Sequence, residues 1–212
     1  MARKPAEQAV SREDILHAAA EVLRRNGYEG TTMKDIAAQV NLTAASLYHH
    51  FENKDVLLLA VLELGLRYVA REIESIVNDS SLTNVEKLRR IVHIHIANQT
   101  ENRPAGVAMV YEVRHIVAQQ PRGGLSDETI AEYNARRASF LAERRRFEAL
   151  FQRVVREGIA AGEFRPVDVP VVVKTILGAN NWVSVWYSEG GRLSGEQIAE
   201  EIAELFVRAL HP

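Results

Sequence analysis

The sequence predicts an all-α protein, and three observations carry that prediction. Helix-start signals recur from one end of the chain to the other, apolar residues return at three- and four-residue spacing, and strand signals are nearly absent. A Ser or Thr followed three residues later by Asp, Glu or Gln precedes an apolar-periodic run at Ser11/Asp14, Thr32/Asp35, Thr83/Glu86 and Ser194/Gln197. Such a pair satisfies, reciprocally, N–H groups that the first turn of a helix leaves free. Asn53 and Asp127 are further N-cap candidates, and Gly27, Gly162 and Gly190–Gly191 suit helix ends.

Taken in order, Ser11 opens a helix over 11–26 that Gly27 stops. Two short helices, 32–40 and 43–51, follow around a turn at Asn41. Asn53 opens a long apolar helix over 53–78, and Thr83 opens one over 83–102. Pro104 and Pro121 bracket a helix over 104–119. The longest, 127–161, runs from Asp127 to Gly162. The run VDVPVVV from Val167 to Val173 is β-branched enough to suggest a strand. It continues at helical length into KTILGANNWVSVWY, however, and Pro170 is tolerated in a first turn, so a helix over 167–189 is expected. Ser194 opens the last helix, 194–210, with Ile198, Ile202, Leu205, Phe206 and Ala209 as its expected apolar stripe.

Composition narrows the function classes. With 212 residues, 47% hydrophobic and 25% charged, the chain can bury about 70% of its unfolded surface without covalent staples. It has no cysteine, which excludes a disulfide scaffold, a thiolate metal site and a thiol nucleophile. The first residues hold no apolar run suited to a signal peptide, and no stretch approaches the ~20 apolar residues that span a bilayer. A cytoplasmic protein with no membrane association is expected. The net charge of −2 gives no global field for nucleic acid, so any DNA contact must come from a local surface. No G-x-x-x-x-G-K-[ST] or G-x-G-x-x-G is present, no cofactor is implied, and no catalytic constellation stands out.

Residues 32–51, TMKDIAAQVNLTAASLYHHF, encode two helices too short to stand alone. Ile15, Ala18, Ala19, Val22 and Leu23 supply a third helix for them, and Ile36, Ala37, Val40, Leu42, Leu47 and Phe51 are spaced to face it. That is the spacing of a helix-turn-helix, with Asn41 at the position where a left-handed backbone is needed. Thr43 caps the second helix, whose outward residues Ala44, Ala45, Ser46, His49 and His50, beside Tyr48, are small or hydrogen-bonding and suit a DNA groove. His49 and His50 are about 100° apart on a helix and make a poor chelating pair.

The stretch from T-T-M-K-D-I-A to L-Y-H-H-F-E-N-K-D-V-L-L closely resembles the DNA-binding domain of TetR-family transcriptional regulators. That resemblance implies that Thr32 and Lys54 cap helix starts and hold phosphates. It also implies that Tyr48 and His49 meet the DNA backbone and that Thr43, Ala44, Ala45 and Ser46 approach the bases. The T-A-A-S start stands where a Lys or other polar residue is common, so methyl contacts and DNA shape should weigh more in readout. Residues 1–55 carry seven Lys/Arg against eight Asp/Glu, so affinity must lean on Arg3, Lys4, Lys34, Lys54, helix N-termini and duplication in a dimer. The expected organisation is a DNA-binding domain over 1–55 and a helical effector-binding and dimerisation domain over 56–212.

In that second region Glu112-Val-Arg-His115 forms a single E-x-x-H, of which a di-iron bundle needs two. His95 shares a stripe with Leu88, Ile91 and Val92, which suits a buried or cavity-lining histidine better than a metal ligand. Five arginines, Arg136, Arg137, Arg144, Arg145 and Arg146, flank one acid, Glu143; they form either a solvated face or the entrance for an anionic effector. The fragments G-E-F-R-P-V-D and N-W-V-S-V-W-Y-S-E-G-G-R-L-S resemble a TetR-family subset that senses acyl-CoA thioesters. The resemblance implies a repressor acting as a homodimer through its last two helices on palindromic double-stranded operator DNA. A small hydrophobic effector, an acyl-CoA being one candidate, would release it. Tyr111, Trp182 and Trp186 would line the acyl site beside His95, with Arg144 and Arg145 on the phosphates. Two other classes stay open at this point: a metal-dependent helical-bundle enzyme using Glu112 and His115, and a helical interaction module without an effector.

Overall fold

The computed structural model describes residues 10–100, 116 and 126–212. All regular structure among the described residues is helical: α1 (Arg12–Gly30), α2 (Met33–Gln39), α3 (Ala44–His50), α4 (Lys54–Val77), α5 (Asn84–Thr100), α6 (Asp127–Ala160), α7 (Val169–Trp186) and α8 (Gly195–Leu210). The helix expected over 104–119 lies outside the described residues except for Ile116, which is helical and buried. None of the described helices is long and apolar enough to cross a membrane.

The four expected capping boxes all form. Ser11 Oγ accepts from the Asp14 N–H at 3.1 Å while the Ser11 N–H donates to the Asp14 carboxylate at 2.9 Å. The same reciprocal pairs close at Thr32/Asp35, Thr83/Glu86 and Ser194/Gln197. Asn53 caps α4 by accepting from the Val56 N–H at 2.9 Å. Asp127 is not the cap of α6. Ser126 takes that place, accepting from the Thr129 N–H at 3.2 Å, and Asp127 sits in the first turn, where its charge complements the helix dipole. The β-branched run is helical, capped by Asp168 and with Pro170 in its first turn.

Helices α1 to α3 form a compact unit around Ile15, Ala19, Leu23, Ile36, Ala37, Leu47 and Phe51, all buried. Gly27 adopts φ +65° and kinks the end of α1, and Asn41 adopts φ +55° in the turn between α2 and α3. Helix α4 packs on α1 and continues between α5 and α6, so one rod belongs to both halves of the chain. A division after residue 55 therefore falls within its first turn.

The last helices differ from expectation. Helix α8 packs chiefly on α5 and only slightly on α7. Arg89 and His93 of α5 reach Glu204 and Glu200 at 2.5 and 2.9 Å, which fixes the rotation of α8. Its buried stripe is accordingly Ile198, Ala199, Ala203, Phe206, Val207 and Leu210, while Leu205 and Ala209 face outward. The G-E-F-R-P-V-D fragment is a clasp between helices. Glu163 accepts from Asn84 Nδ2 and the Val85 N–H at 2.9 and 3.1 Å, at the start of α5. Arg165 donates to the Leu210 and Ala209 carbonyls at 2.8 and 2.9 Å, at the end of α8. Phe164 lies where a Cβ on Gly158 would stand, so only glycine leaves its ring a seat on α6.

Candidate DNA-binding surface and effector cavity

Helix α3 is a short amphipathic helix of about two turns, and its burial decides which side chains are free. Leu47 is fully buried and Phe51, just past its end, nearly so. The remaining positions face outward: Ala45, Tyr48, His49 and His50 are exposed, and Ala44 and Ser46 partly so. Thr43 caps the helix, accepting from the Ser46 N–H at 3.0 Å, with its hydroxyl 2.8 Å from Ser46 Oγ. Thr32 caps α2 in the same way, and Lys34 stands exposed beside it. Arg3 and Lys4 lie outside the described residues.

Lys54 is placed differently from an outstretched phosphate contact. Its ammonium donates to the Tyr28 and Thr31 carbonyls at 2.7 and 2.9 Å and lies 4.0 Å from the centre of the Tyr28 ring. Two of its three protons thus hold the end of α1, leaving one for a partner. The Tyr28 hydroxyl in turn donates to Asp55, next along α4. The lysine binds the kinked end of α1 to the start of α4, so its removal acts on the unit itself.

In the larger domain His95 faces a cavity of about 350 Å³ between α4, α5, α6 and α7. Leu66, Val69, Phe147 and Leu177 make its apolar wall; Asn98, Gln99 and Asn181 add amides, and Arg144, Glu148 and Lys174 add charge. The His95 ring is buried edge-on against Phe147, with centroids 5.5 Å apart, and its Nδ1 is 3.2 Å from the Asn180 amide nitrogen. Burial lowers its pKa from 6.5 to about 4, so the imidazole is neutral at physiological pH. Arg144 stands at the mouth of the cavity, open to water on one side. The protein on its other side partly desolvates the guanidinium and lowers its pKa, an effect that the Glu148 charge opposes. No hydrogen bond or ion pair among the described residues holds that guanidinium.

The other arginines scatter, because neighbours on a helix point about 100° apart. Arg136 is taken by Glu63 at 2.8 Å, and Arg137 donates to the Ile116 carbonyl. Arg146 pairs with Glu143 at 2.5 Å on the rim of a separate groove of about 610 Å³ between α4 and α6. Arg145 is exposed and lines neither cavity. The tryptophans do not join His95: Trp182 is 63% exposed and Trp186 51%, both on the outer side of α7. Asn180 and Val183 occupy the inward face of α7, which turns the rings away. Tyr111, Glu112 and His115 lie outside the described residues.

Sequence reasoning missed Asn98, Gln99 and Asn181. Asn98 and Gln99 follow His95 by three and four residues on an otherwise apolar stripe, and that register was the available signal.

Comparison with known proteins matches both halves of the chain to one family. Residues 15–61 match the model of bacterial regulatory proteins of the tetR family, and residues 81–210 match the tetracyclin repressor-like C-terminal domain. The HTH-type transcriptional repressor KstR2 of Mycolicibacterium smegmatis is 31% identical over 199 residues, covering 93% of this chain and 89% of that protein. The crystal structure of PfmR, a TetR-family regulator of Thermus thermophilus, superposes with a TM-score of 0.75 at 29% identity, covering 92% and 97% of the two chains. AibR, solved in complex with isovaleryl coenzyme A and operator DNA, gives a TM-score of 0.75 at 30% identity over 95% and 98%. The chain belongs to the TetR family: it is a helix-turn-helix transcriptional regulator, not an enzyme, of a class that binds operator DNA as dimers.

Proposed function

We propose that this regulator is a repressor that holds a palindromic operator as a homodimer and releases it when an acyl thioester of coenzyme A fills the cavity beside His95. The observation that carries the effector is the Arg144 guanidinium, partly desolvated at the mouth of a cavity with one apolar wall, with no hydrogen bond or ion pair among the described residues. A charge so placed gains most from an anionic partner, and Arg takes phosphate oxygens bidentately. The isovaleryl coenzyme A in the AibR complex supports the same ligand class. Arg145, at the surface, is left to a phosphate farther out along the same helix.

On the DNA side, Thr43, Ala44, Ala45 and Ser46 meet base edges, while Thr32, Lys34, Tyr48, His49 and the remaining proton of Lys54 meet phosphates. The division into a DNA-binding domain over 1–55 and an effector domain over 56–212 makes α4 the mechanical link. Dimerisation through α7 and α8 is supported by Val171, Thr175, Gly178, Trp182 and Val185, exposed at heptad spacing along α7, with Leu205 exposed on α8. Trp182 and Trp186 then bury their rings against the partner rather than around an effector. Two recognition helices must sit about one DNA turn apart, roughly 34 Å, and an effector releases DNA only by binding better to dimers with another spacing. An operator as partner implies a cytoplasmic location.

The test is a titration of the protein against a palindromic duplex selected from a random pool, with and without acyl-CoA, free CoA and free acid. Release by the thioester alone is expected. Light scattering should show a dimer without DNA and a monomer for Trp182→Glu. A panel of acyl-CoAs that leaves the DNA bound would remove the thioester from the proposal, and a wild-type monomer would remove the interface.

A further inference from the structure

The cavity beside His95 is more polar at its inner wall than an acyl chain requires. His95, Asn98 and Gln99 stand three and four residues apart on one face of α5, each 5% exposed or less. Asn180 of α7, fully buried, adjoins them through His95. Four polar side chains gathered in a core are costly unless each finds partners. Two do not: Gln99 Oε1 and Asn180 Oδ1 are buried without a hydrogen bond among the described residues. Gln99 lines the cavity, so its side chain adjoins the space an effector would fill.

We propose that the effector carries a hydroxyl group on its buried end, recognised by Gln99 within the His95–Asn98–Gln99 patch of α5; this rests on the acyl-thioester reading above. A hydroxyl suits this patch because it donates and accepts at once. It donates to Gln99 Oε1. Its lone pairs are open to a donor of the same patch, and His95 has one to give: with Nδ1 facing the Asn180 amide, the neutral ring carries its proton on Nε2. A plain hydrocarbon end would leave Gln99 Oε1 as it already stands, buried without a partner, and so forgoes the contact that a hydroxyl gains. The cavity thereby sorts thioesters by oxidation state: apolar wall for the carbon skeleton, amide and imidazole for the oxygen, Arg144 for the charge.

The experiment compares octanoyl-CoA with 3-hydroxyoctanoyl-CoA and 8-hydroxyoctanoyl-CoA by isothermal titration calorimetry on the wild-type dimer. At least one hydroxylated thioester should bind about tenfold or more tightly than octanoyl-CoA. In Gln99→Met the preference should vanish or invert, while octanoyl-CoA binding holds or improves and the melting temperature does not fall. Leu177→Ala, on the apolar wall, should weaken all three alike and keep the preference. Equal wild-type affinities for all three, or a preference that survives Gln99→Met, would overturn the hydroxyl proposal and leave the thioester reading standing. No binding of any thioester would overturn the thioester reading itself, and this site with it.

Discussion

The helix-turn-helix unit and the proposed effector cavity solve opposite problems. In the first, most of the groups proposed to meet DNA come from one short segment, Thr43 to His49, with Thr32, Lys34 and Lys54 close by in sequence, while the core beneath them is largely apolar: Ile15, Ile36, Leu47 and Phe51. In the second, the groups come from α4, α5, α6 and α7, from Gly65 to Asn181, and several are polar and buried. A surface for reading a polymer is built locally on a stable core. A cavity for a small molecule places unsatisfied polarity inside the core and gives up stability there, which the ligand restores on binding.

The largest test of that contrast is Phe51→Ala. Its ring is 1% exposed under the Arg12 guanidinium at 4.5 Å, so truncation should destabilise the first unit by about 3–5 kcal/mol. Operator binding should disappear while calorimetric effector binding and the dimer persist. Joint loss of all three would mean that the two regions are one cooperative unit. Next comes acid sensitivity, which belongs to the cavity. His95 titrates at about 4 in the folded protein against 6.5 when unfolded, so the unfolded chain takes up the proton first. The His95 contribution to stability should therefore fall as pH drops from 6.5 toward 4, by on the order of 3 kcal/mol, and level off below. Urea unfolding across that range checks it, and His95→Gln should flatten the slope.

Smaller effects separate the two sites further. Arg144→Met should weaken acyl-CoA binding about tenfold, as expected for losing a charge-assisted contact, and leave operator affinity in the absence of effector unchanged. Equal affinity for the thioester would place the anion elsewhere. On the DNA side, Lys34→Ala should lower the salt slope of binding by about one, equally for operator and scrambled duplexes. Tyr48→Phe, removing a single hydroxyl, should cost about 0.5–1.5 kcal/mol with the slope unchanged, measured by fluorescence anisotropy.

Much of the first unit was legible in sequence. The boxes at Ser11 and Thr32, the Asn41 turn, the buried Phe51 and the exposed Tyr48 all follow from interactions within a turn or two of helix. Lys54 was not legible, since its carbonyl partners on Tyr28 and Thr31 lie more than twenty residues away. Among the described residues, the cavity was legible only at His95 and Arg144. Trp182 and Trp186 suited a ligand site by residue type, yet Asn180 and Val183 claimed the inner face of α7. Ser126 displaced Asp127 as a cap by one position, a choice between neighbours that local chemistry leaves close.

The sequence by itself determined where helices begin and end. Caps, glycine stops and the 3.6-residue period act over a few residues, and each supplies its own hydrogen bonds. It also determined the α1–α3 assembly, because two helices so short have one apolar neighbour to lie on. Only the tertiary structure decided how each long helix is rotated and which neighbour it meets. An amphipathic stripe more than 100° wide fits several partners, and the choice among them rests on contacts between distant segments. Thus Arg89 and His93 set α8 on α5 with Leu205 outward. A single step along α6 separates Arg144, which borders the cavity, from Arg145, which does not.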